Sequence, residues 1–171
     1  SLVKMYCERL MNDKIKLYPL SLNLPRIRSV VMEWCKGEGR VVSNRGGWQS
    51  DLFYHIPVEL KELFDIVDHN VDVIHSSSVL KLEEFWINVN KPNDSNSPHT
   101  HHDITPPLTD PGISGVFYIN IPEGDAGDIL LGHERVQPYE NLLILFPSDM
   151  IHMVYPNRTE KNRISLSFNY V

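Results

Sequence analysis

Histidine and aspartate side chains stand close together near the middle of the chain, in the run PHTHHD at residues 98–103. In an extended segment alternate side chains share one face, so His99, His101 and Asp103 would project together while His102 points away. Imidazole and carboxylate groups on neighbouring rungs of a strand are suited to binding a metal ion. A pair from this run needs a third ligand from elsewhere in the chain.

The best candidate for the third ligand is His152, which follows the apolar run NLLILF at residues 141–146. It lies 51 residues after His101, which is enough chain for several strands to bring it back beside the first pair. Two histidines and one carboxylate on one face leave open positions that suit Fe(II), an organic acid and oxygen. The sequence therefore predicts a metal site with room for further ligands.

A second candidate group lies on the final strand-like run, RISLSFNYV at residues 163–171. Its alternation places Arg163 and Ser165 on one polar face, and a polar face on the last strand of a small barrel predicts a polar interior. A guanidinium and a hydroxyl on one face are suited to a dicarboxylate. Tyr118 could add another hydroxyl, and Asn88 is expected to face the same interior.

The elements that must position these residues differ between the two halves of the chain. From residue 79 onward, short β-rich runs are separated by turn residues, which indicates an antiparallel sandwich or barrel. Upstream, apolar spacing and prolines predict helices at residues 24–36 and from 57 to about 69. The run SNRGGWQSD at residues 43–51 is expected to be a loop.

Length and composition narrow the class of protein. The 171 residues predict one domain, with residues 1–79 as a mixed support region and 80–171 as a β core. The net charge of −6 and the lack of a basic cluster argue against nucleic acid as a partner. Two cysteines, Cys7 and Cys35, predict neither a disulfide framework nor a zinc site. No apolar run is long enough for a membrane, and a cytoplasmic location (that of the host cell, if the protein is viral) is expected.

Four stretches in a fixed order carry a family resemblance: WINVNKPNDSNSPHTH, SGVFYINIPEGDAGDILL, LLILFPSDMIHMVYPN and RISLSFN. With them, the second half resembles the Fe(II)- and 2-oxoglutarate-dependent oxygenases, both prolyl hydroxylases and a group of small oxygenases of phages and marine bacteria. The resemblance implies a double-stranded β-helix (a jelly-roll, cupin-like fold) with the N-terminal helices packed on it. It also implies Fe(II), 2-oxoglutarate and O2, and a hydroxylation that releases succinate and carbon dioxide.

The resemblance leaves two ligand sets open. In the prolyl-hydroxylase pattern the strand ligands are His101 and Asp103, whereas in the small oxygenases the matching segment reads His-x-His and the pair would be His99 and His101. The first set is favoured, because a carboxylate adds negative charge and His-x-Asp is the usual pairing. His101 and His152 belong to both sets, and Arg163, Ser165, Tyr118 and Asn88 are the expected contacts of 2-oxoglutarate.

Two other functions compete with the oxygenase. A cupin-like metalloenzyme without 2-oxoglutarate would use His99, His101 and His152, and Arg163 with Ser165 argues against it. A non-catalytic jelly roll, serving as a structural or binding module, is disfavoured by the polar interior. The substrate is expected to be a small molecule, an amino acid or a peptide, with prolyl hydroxylation as the first analogy. The oligomeric state is not predicted.

Overall fold

A computed structural model describes residues 12–76, 79–101 and 111–171. In chain order its helices and strands are β1 (Lys16–Pro19), α1 (Leu24–Trp34), β2 (Asn44–Arg45), β3 (Trp48–Gln49), a 3-10 turn (Val58–Leu60), α2 (Lys61–Ile74), β4 (Leu82–Asn90), β5 (Ser95–His99), β6 (Ile113–Asn120), β7 (Ile129–Leu131), β8 (Glu134–Val136), β9 (Leu142–Pro147), β10 (His152–Val154) and β11 (Arg163–Tyr170). None of the helices in these ranges has the length and apolar character needed to cross a bilayer.

The strands form two antiparallel sheets. The larger sheet has the order β1-β9-β6-β11-β4-β3 and the smaller one the order β2-β5-β10-β7-β8. From β4 onward the chain alternates between them: β4, β6, β9 and β11 belong to the larger sheet, whereas β5, β7, β8 and β10 belong to the smaller. This alternation is the double-stranded β-helix that the resemblance implied, and that prediction is confirmed. The two sheets do not close into one barrel within the described ranges.

The helices cover the outer face of the larger sheet. α1 begins where predicted: the side chain of Asn23 accepts a hydrogen bond from the Arg26 amide, and Pro25 occupies the first turn. The stripe of α2 with Leu63, Phe64 and Val67 is buried in the same core as the outward face of β11. α2 runs to Ile74, beyond the predicted end near residue 69, and α1 ends at Trp34, two residues early.

The predicted loop at residues 43–51 is wrong in part, because it contains β2 and β3. Gly46 and Gly47 form the turn between these strands, with φ of 70° and 66°. A Cβ on Gly46 would overlap Asp94 Oδ1, so the close approach also requires glycine. The polar residues after the turn are buried: Gln49 is 4% exposed and pairs with Asn88. β2 and β3 have only two residues each, which is too short for a two-residue period to show in the sequence. They form because they pair with β5 and β4, which lie far along the chain.

The end of β11 is joined to α2 by a partly buried hydrogen bond, in which Tyr170 Oη donates to Asp68 Oδ1. Burial, followed by the bond to Asp68, raises the pKa of Tyr170 far above its usual value near 10. Stability is therefore lost as the pH rises above about 10, because unfolding releases a proton that the folded state retains.

We expect Tyr170→Phe to lower the free energy of unfolding by about 1.5–3 kcal/mol at pH 7, the range for a hydrogen bond to a charged group. The difference in free energy of unfolding between the variant and the wild type should shrink between pH 10 and 12. The wild type loses stability in this range, whereas a phenylalanine side chain cannot ionise. Urea unfolding at both pH values measures this, with the exposed Tyr54→Phe as the matched control. A deficit that does not change with pH would contradict the assignment.

Candidate metal centre and its cavity

Three of the predicted ligands meet between the two sheets. His99 on β5 and His152 on β10 are direct partners across the small sheet, and their ring centroids are 4.2 Å apart. His101 lies two residues beyond the end of β5, where its backbone amide donates to the Ser148 carbonyl. Its ring centroid is 4.6 Å from that of His152, and the possible ligand atoms of all three residues lie within 4.8 Å of one another.

Hydrogen bonds on the far side of each ring decide which nitrogen faces the cluster. His99 Nδ1 is 2.7 Å from the Ser97 carbonyl oxygen, and His152 Nδ1 is 2.9 Å from the Met150 carbonyl oxygen. Carbonyl oxygens only accept, so both Nδ1 atoms carry hydrogen and both Nε2 atoms keep a lone pair. The Nε2 atoms of His99 and His101 are 3.3 Å apart. Lone pairs that converge in this way are suited to a shared cation.

The electrostatics also favour neutral rings. Burial, then the neighbouring His99, lowers the pKa of His101 to about 4. Burial, then the charges of His101 and His99, lowers the pKa of His152 to about 3. Burial lowers the pKa of His99 as well. At neutral pH all three imidazoles are uncharged, which is the form that binds metal ions.

The histidines line a cavity of about 400 Å³. Its opposite wall is the inner face of β4, β6 and β11, whose paired residues form rows across the large sheet. Ser165 is the partner of both Asn88 and Tyr118, and Arg163 is the partner of Asn90. The alternation predicted for β11 is confirmed, because Leu166 and its outward neighbours enter the helix-covered core while the polar residues line the cavity.

Arg163 is a buried guanidinium with no acidic partner among the residues that the structure describes. Only 2% of it is exposed, and no carboxylate of the described ranges lies within 4 Å of it. One nitrogen donates to Asn90 Oδ1 at 3.2 Å, and the guanidinium carbon lies 5.2 Å from the centre of the Tyr118 ring. Burial lowers the pKa of Arg163 and raises that of Tyr118.

Most of the buried polar atoms that lack a hydrogen-bond partner in the described part of the chain belong to residues of this cavity. Four buried side-chain polar atoms in the described part of the chain have no hydrogen-bond partner, and three of them belong to cavity residues. These three are Arg163 Nε, Tyr118 Oη and Gln49 Oε1. Unpaired buried polar groups are costly, so a polar ligand in this cavity would satisfy them, and the charge of Arg163 would favour an anion.

The structure thus brings together most of the residues singled out from the sequence. His99, His101 and His152 form the cluster, and Asn88, Tyr118, Arg163 and Ser165 line the same cavity. Asp103 and His102 lie outside the described residues. Sequence reasoning misses Gln49, because the glycines beside it predict a loop. It also misses the contacts of Asn169, which shares the polar face of β11 with Arg163.

Comparisons with known proteins agree with this geometry. Residues 131–169, which include His152 and Arg163, match a family described as "Putative 2OG-Fe(II) oxygenase". The chain resembles the 2-oxoglutarate- and Fe(II)-dependent oxygenases in sequence and in fold. A sequence comparison with curated proteins finds no match.

Three solved structures illustrate the similarity of fold. A Pseudomonas putida prolyl-4-hydroxylase is 17% identical with a TM-score of 0.67, over 92% of this chain and 91% of that one. A Trichoplax adhaerens prolyl hydroxylase in complex with a peptide fragment of hypoxia inducible factor is 14% identical with a TM-score of 0.69, over 99% and 88%. The non-heme alpha ketoglutarate dependent carbocyclase SnoK, from nogalamycin biosynthesis, is 11% identical with a TM-score of 0.67, over 92% and 79%.

Proposed function

We propose that this protein is an Fe(II)- and 2-oxoglutarate-dependent dioxygenase that hydroxylates its substrate. One observation carries the proposal. A cluster of three neutral imidazoles lines the same cavity as a buried guanidinium that has no carboxylate partner in the described part of the chain. A metal site alone would not need the guanidinium, and an anion site alone would not need three converging imidazole lone pairs. A cosubstrate that chelates a metal at one end and carries a carboxylate at the other requires both.

The metal would be held by His101 and His152, with either His99 or Asp103 as the third ligand. The position of His99 supports the three-histidine set, since its Nε2 lone pair faces that of His101 at 3.3 Å. Asp103 remains the other proposed ligand, because a carboxylate would add negative charge beside a divalent cation. The neutral state of the histidines means that no ligand proton has to be removed before the metal binds.

The distant carboxylate of 2-oxoglutarate would bind Arg163. The unpaired Nε of this residue and the unpaired hydroxyl of Tyr118 offer two donors. Ser165, which lies on the same face of β11 as Arg163 and is the partner of Tyr118 across the sheet, offers a third. Asn88 is the partner of Ser165 on β4, and its amide is bonded to Gln49 and Ser167. We assign Asn88 a supporting place beside the cosubstrate.

Together, bound Fe(II) and 2-oxoglutarate would supply the oxidation of a substrate C–H bond by O2, with release of succinate and carbon dioxide. The protein's own residues bind, orient and desolvate the reactants. The prolyl hydroxylase bound to a peptide supports a peptide or amino-acid substrate, whereas the carbocyclase supports a small molecule. One fold serves both kinds of substrate, so the fold does not choose between them. Prolyl hydroxylation is the reaction to test first, because two of the three structures described above are prolyl hydroxylases.

The competing function is a cupin-like metalloenzyme that does not use 2-oxoglutarate, which the three-histidine cluster by itself would also suit. Arg163 argues against it, because such chemistry does not require a buried cation aimed at an anionic ligand. Metal analysis combined with a 2-oxoglutarate titration separates the two functions.

The direct test is an anaerobic absorption spectrum of the Fe(II) protein with 2-oxoglutarate. Chelation of the metal by the cosubstrate should produce a weak visible charge-transfer band, and admission of O2 should then yield succinate slowly even without substrate. Glutarate, which has the same two carboxylates but no keto oxygen, should not produce the band. A metal-loaded protein that gives no band with 2-oxoglutarate would overturn the proposal.

A further inference from the structure

His101 is held differently from the other two histidines. The Nδ1 atoms of His99 and His152 face main-chain carbonyl oxygens, which no substitution removes. His101 Nδ1 instead faces side chains, at 2.9 Å from Asn169 Oδ1 and 3.1 Å from Ser114 Oγ. The orientation of this one ring therefore depends on residues that can be changed.

The hydrogen-bonding capacity of these side chains decides where the hydrogens lie. Glu84 Oε1 is 3.3 Å from Asn169 Nδ2, and a carboxylate oxygen accepts, so the amide nitrogen of Asn169 faces Glu84. Its Oδ1 then faces His101, and because this oxygen only accepts, His101 Nδ1 carries the hydrogen. The Nε2 atom of His101 is left with a lone pair aimed at the cluster.

The surroundings leave Asn169 little freedom to turn. Asn169 is 7% exposed, and its Oδ1 also accepts from Ser114 Oγ at 2.7 Å. Ser114 Oγ lies 2.8 Å from Ser148 Oγ, which can donate to it. Reversal of the amide would place Nδ2 against the His101 Nδ1–H and Oδ1 against Glu84, which would lose both contacts at once.

We propose that Asn169 is a positioning residue, which, with its amide oriented by Glu84, holds His101 in the tautomer that presents Nε2 to the metal. The inference rests on the proposed metal site and adds the means by which the chain prepares it. A partner behind a metal-binding imidazole fixes the ring and raises its basicity, and loss of such a partner typically costs 10–100-fold in metal affinity. Glu84 also supplies negative charge behind a site that could contain three neutral ligands.

Two readouts test the proposal without any turnover assay. Long-range ¹H–¹⁵N NMR of the metal-free protein reports the tautomer of each histidine, and chelator competition gives the affinity for Zn(II) alone. In the wild type, all three histidines should carry hydrogen on Nδ1. Asn169→Leu should shift His101 to a mixture of tautomers and weaken Zn(II) binding by about 10–100-fold. His99 and His152 should keep their tautomers, which makes them internal controls.

A double variant distinguishes positioning from simple packing. Glu84→Gln alone replaces a carboxylate that only accepts by an amide that can donate or accept, so the Asn169 amide is no longer restricted to one orientation and Zn(II) binding should weaken. In the double variant Glu84→Gln with Asn169→Asp, the new carboxylate at position 169 accepts from His101 Nδ1 and from the new amide at position 84. This variant should restore both the His101 tautomer and the Zn(II) affinity. It also decides the matter if Asn169→Leu does not fold. Ser167→Ala, on the same face of β11 but bonded to Asn88, is the matched control for metal affinity.

The outcomes are separable from those of the proposed function. An unchanged His101 tautomer in Asn169→Leu, or a double variant no better than Glu84→Gln, would overturn the positioning role. A wild-type protein that binds Zn(II) but shows no chelation of Fe(II) by 2-oxoglutarate would overturn the oxygenase and leave the tautomer result intact.

Discussion

His152→Ala is expected to lose Fe(II) binding and 2-oxoglutarate turnover by more than about 100-fold. This residue belongs to both ligand sets, and its ring lies 4.2 Å and 4.6 Å from those of His99 and His101. Loss of a direct ligand should exceed the 10–100-fold typical for loss of a group behind a ligand. Succinate formation and Fe(II) affinity by chelator competition measure the effect.

The control for this variant is His133→Ala, at an exposed histidine in the turn between β7 and β8. It should bind Fe(II) as the wild type does. The same assay identifies the third ligand: His99→Ala should be as severe as His152→Ala if the three-histidine set is used, and Asp103→Asn should be so if the carboxylate is used. Retention of tight Fe(II) binding by His152→Ala would rule out the proposed centre.

Arg163→Met is expected to have opposite effects on cosubstrate binding and on stability. In the proposed complex, Arg163 forms a buried, hydrogen-bonded charge pair with the distant carboxylate of 2-oxoglutarate. Removal of one partner from such a pair costs about 2–5 kcal/mol, so the KM for 2-oxoglutarate should rise by about 30-fold or more. In the absence of 2-oxoglutarate, the wild type buries a guanidinium that has no carboxylate partner within residues 12–76, 79–101 and 111–171. A buried apolar side chain of similar volume in its place should leave the free protein equally stable, or more stable by up to about 4 kcal/mol.

Thermal unfolding with and without 2-oxoglutarate separates the two effects. Without ligand, the Arg163→Met protein should unfold at the wild-type temperature or above it. Addition of 2-oxoglutarate should raise the unfolding temperature of the wild type much more than that of the variant. Arg28→Met is the matched control, because Arg28 is paired with Glu140 at 2.7 Å on the surface side of the molecule. A variant with an unchanged KM for 2-oxoglutarate would remove Arg163 from its proposed role.

Much of the site was readable from residue types and alternation. The two-residue period of β11 assigns Arg163 and Ser165 to one face, and the structure lines the cavity with that face. The spacing of His99 and His101 likewise predicts that they share a face, and both belong to the cluster although His101 lies just past the end of β5. Such patterns are local, and side-chain alternation follows directly from the extended backbone.

Other parts of the site depend on pairing between distant segments. The turn character of the run around Gly46 and Gly47 predicts a loop at Gln49, yet β3 pairs with β4 and Gln49 is buried. The contact of Glu84 with Asn169 requires β4 and β11 to be neighbours in one register. No local period reports such a register, because it is set by which distant strands pair.

Residue types and a two-residue period are enough to predict the β-rich second half, the polar face of its last strand and the histidines that could bind metal. Other features become visible only in the folded chain: His99 lies opposite His152, Arg163 is buried without a carboxylate partner among the described residues, and Asn169 and Glu84 lie behind His101. These features arise from strand order and burial, which depend on contacts between residues far apart in the chain.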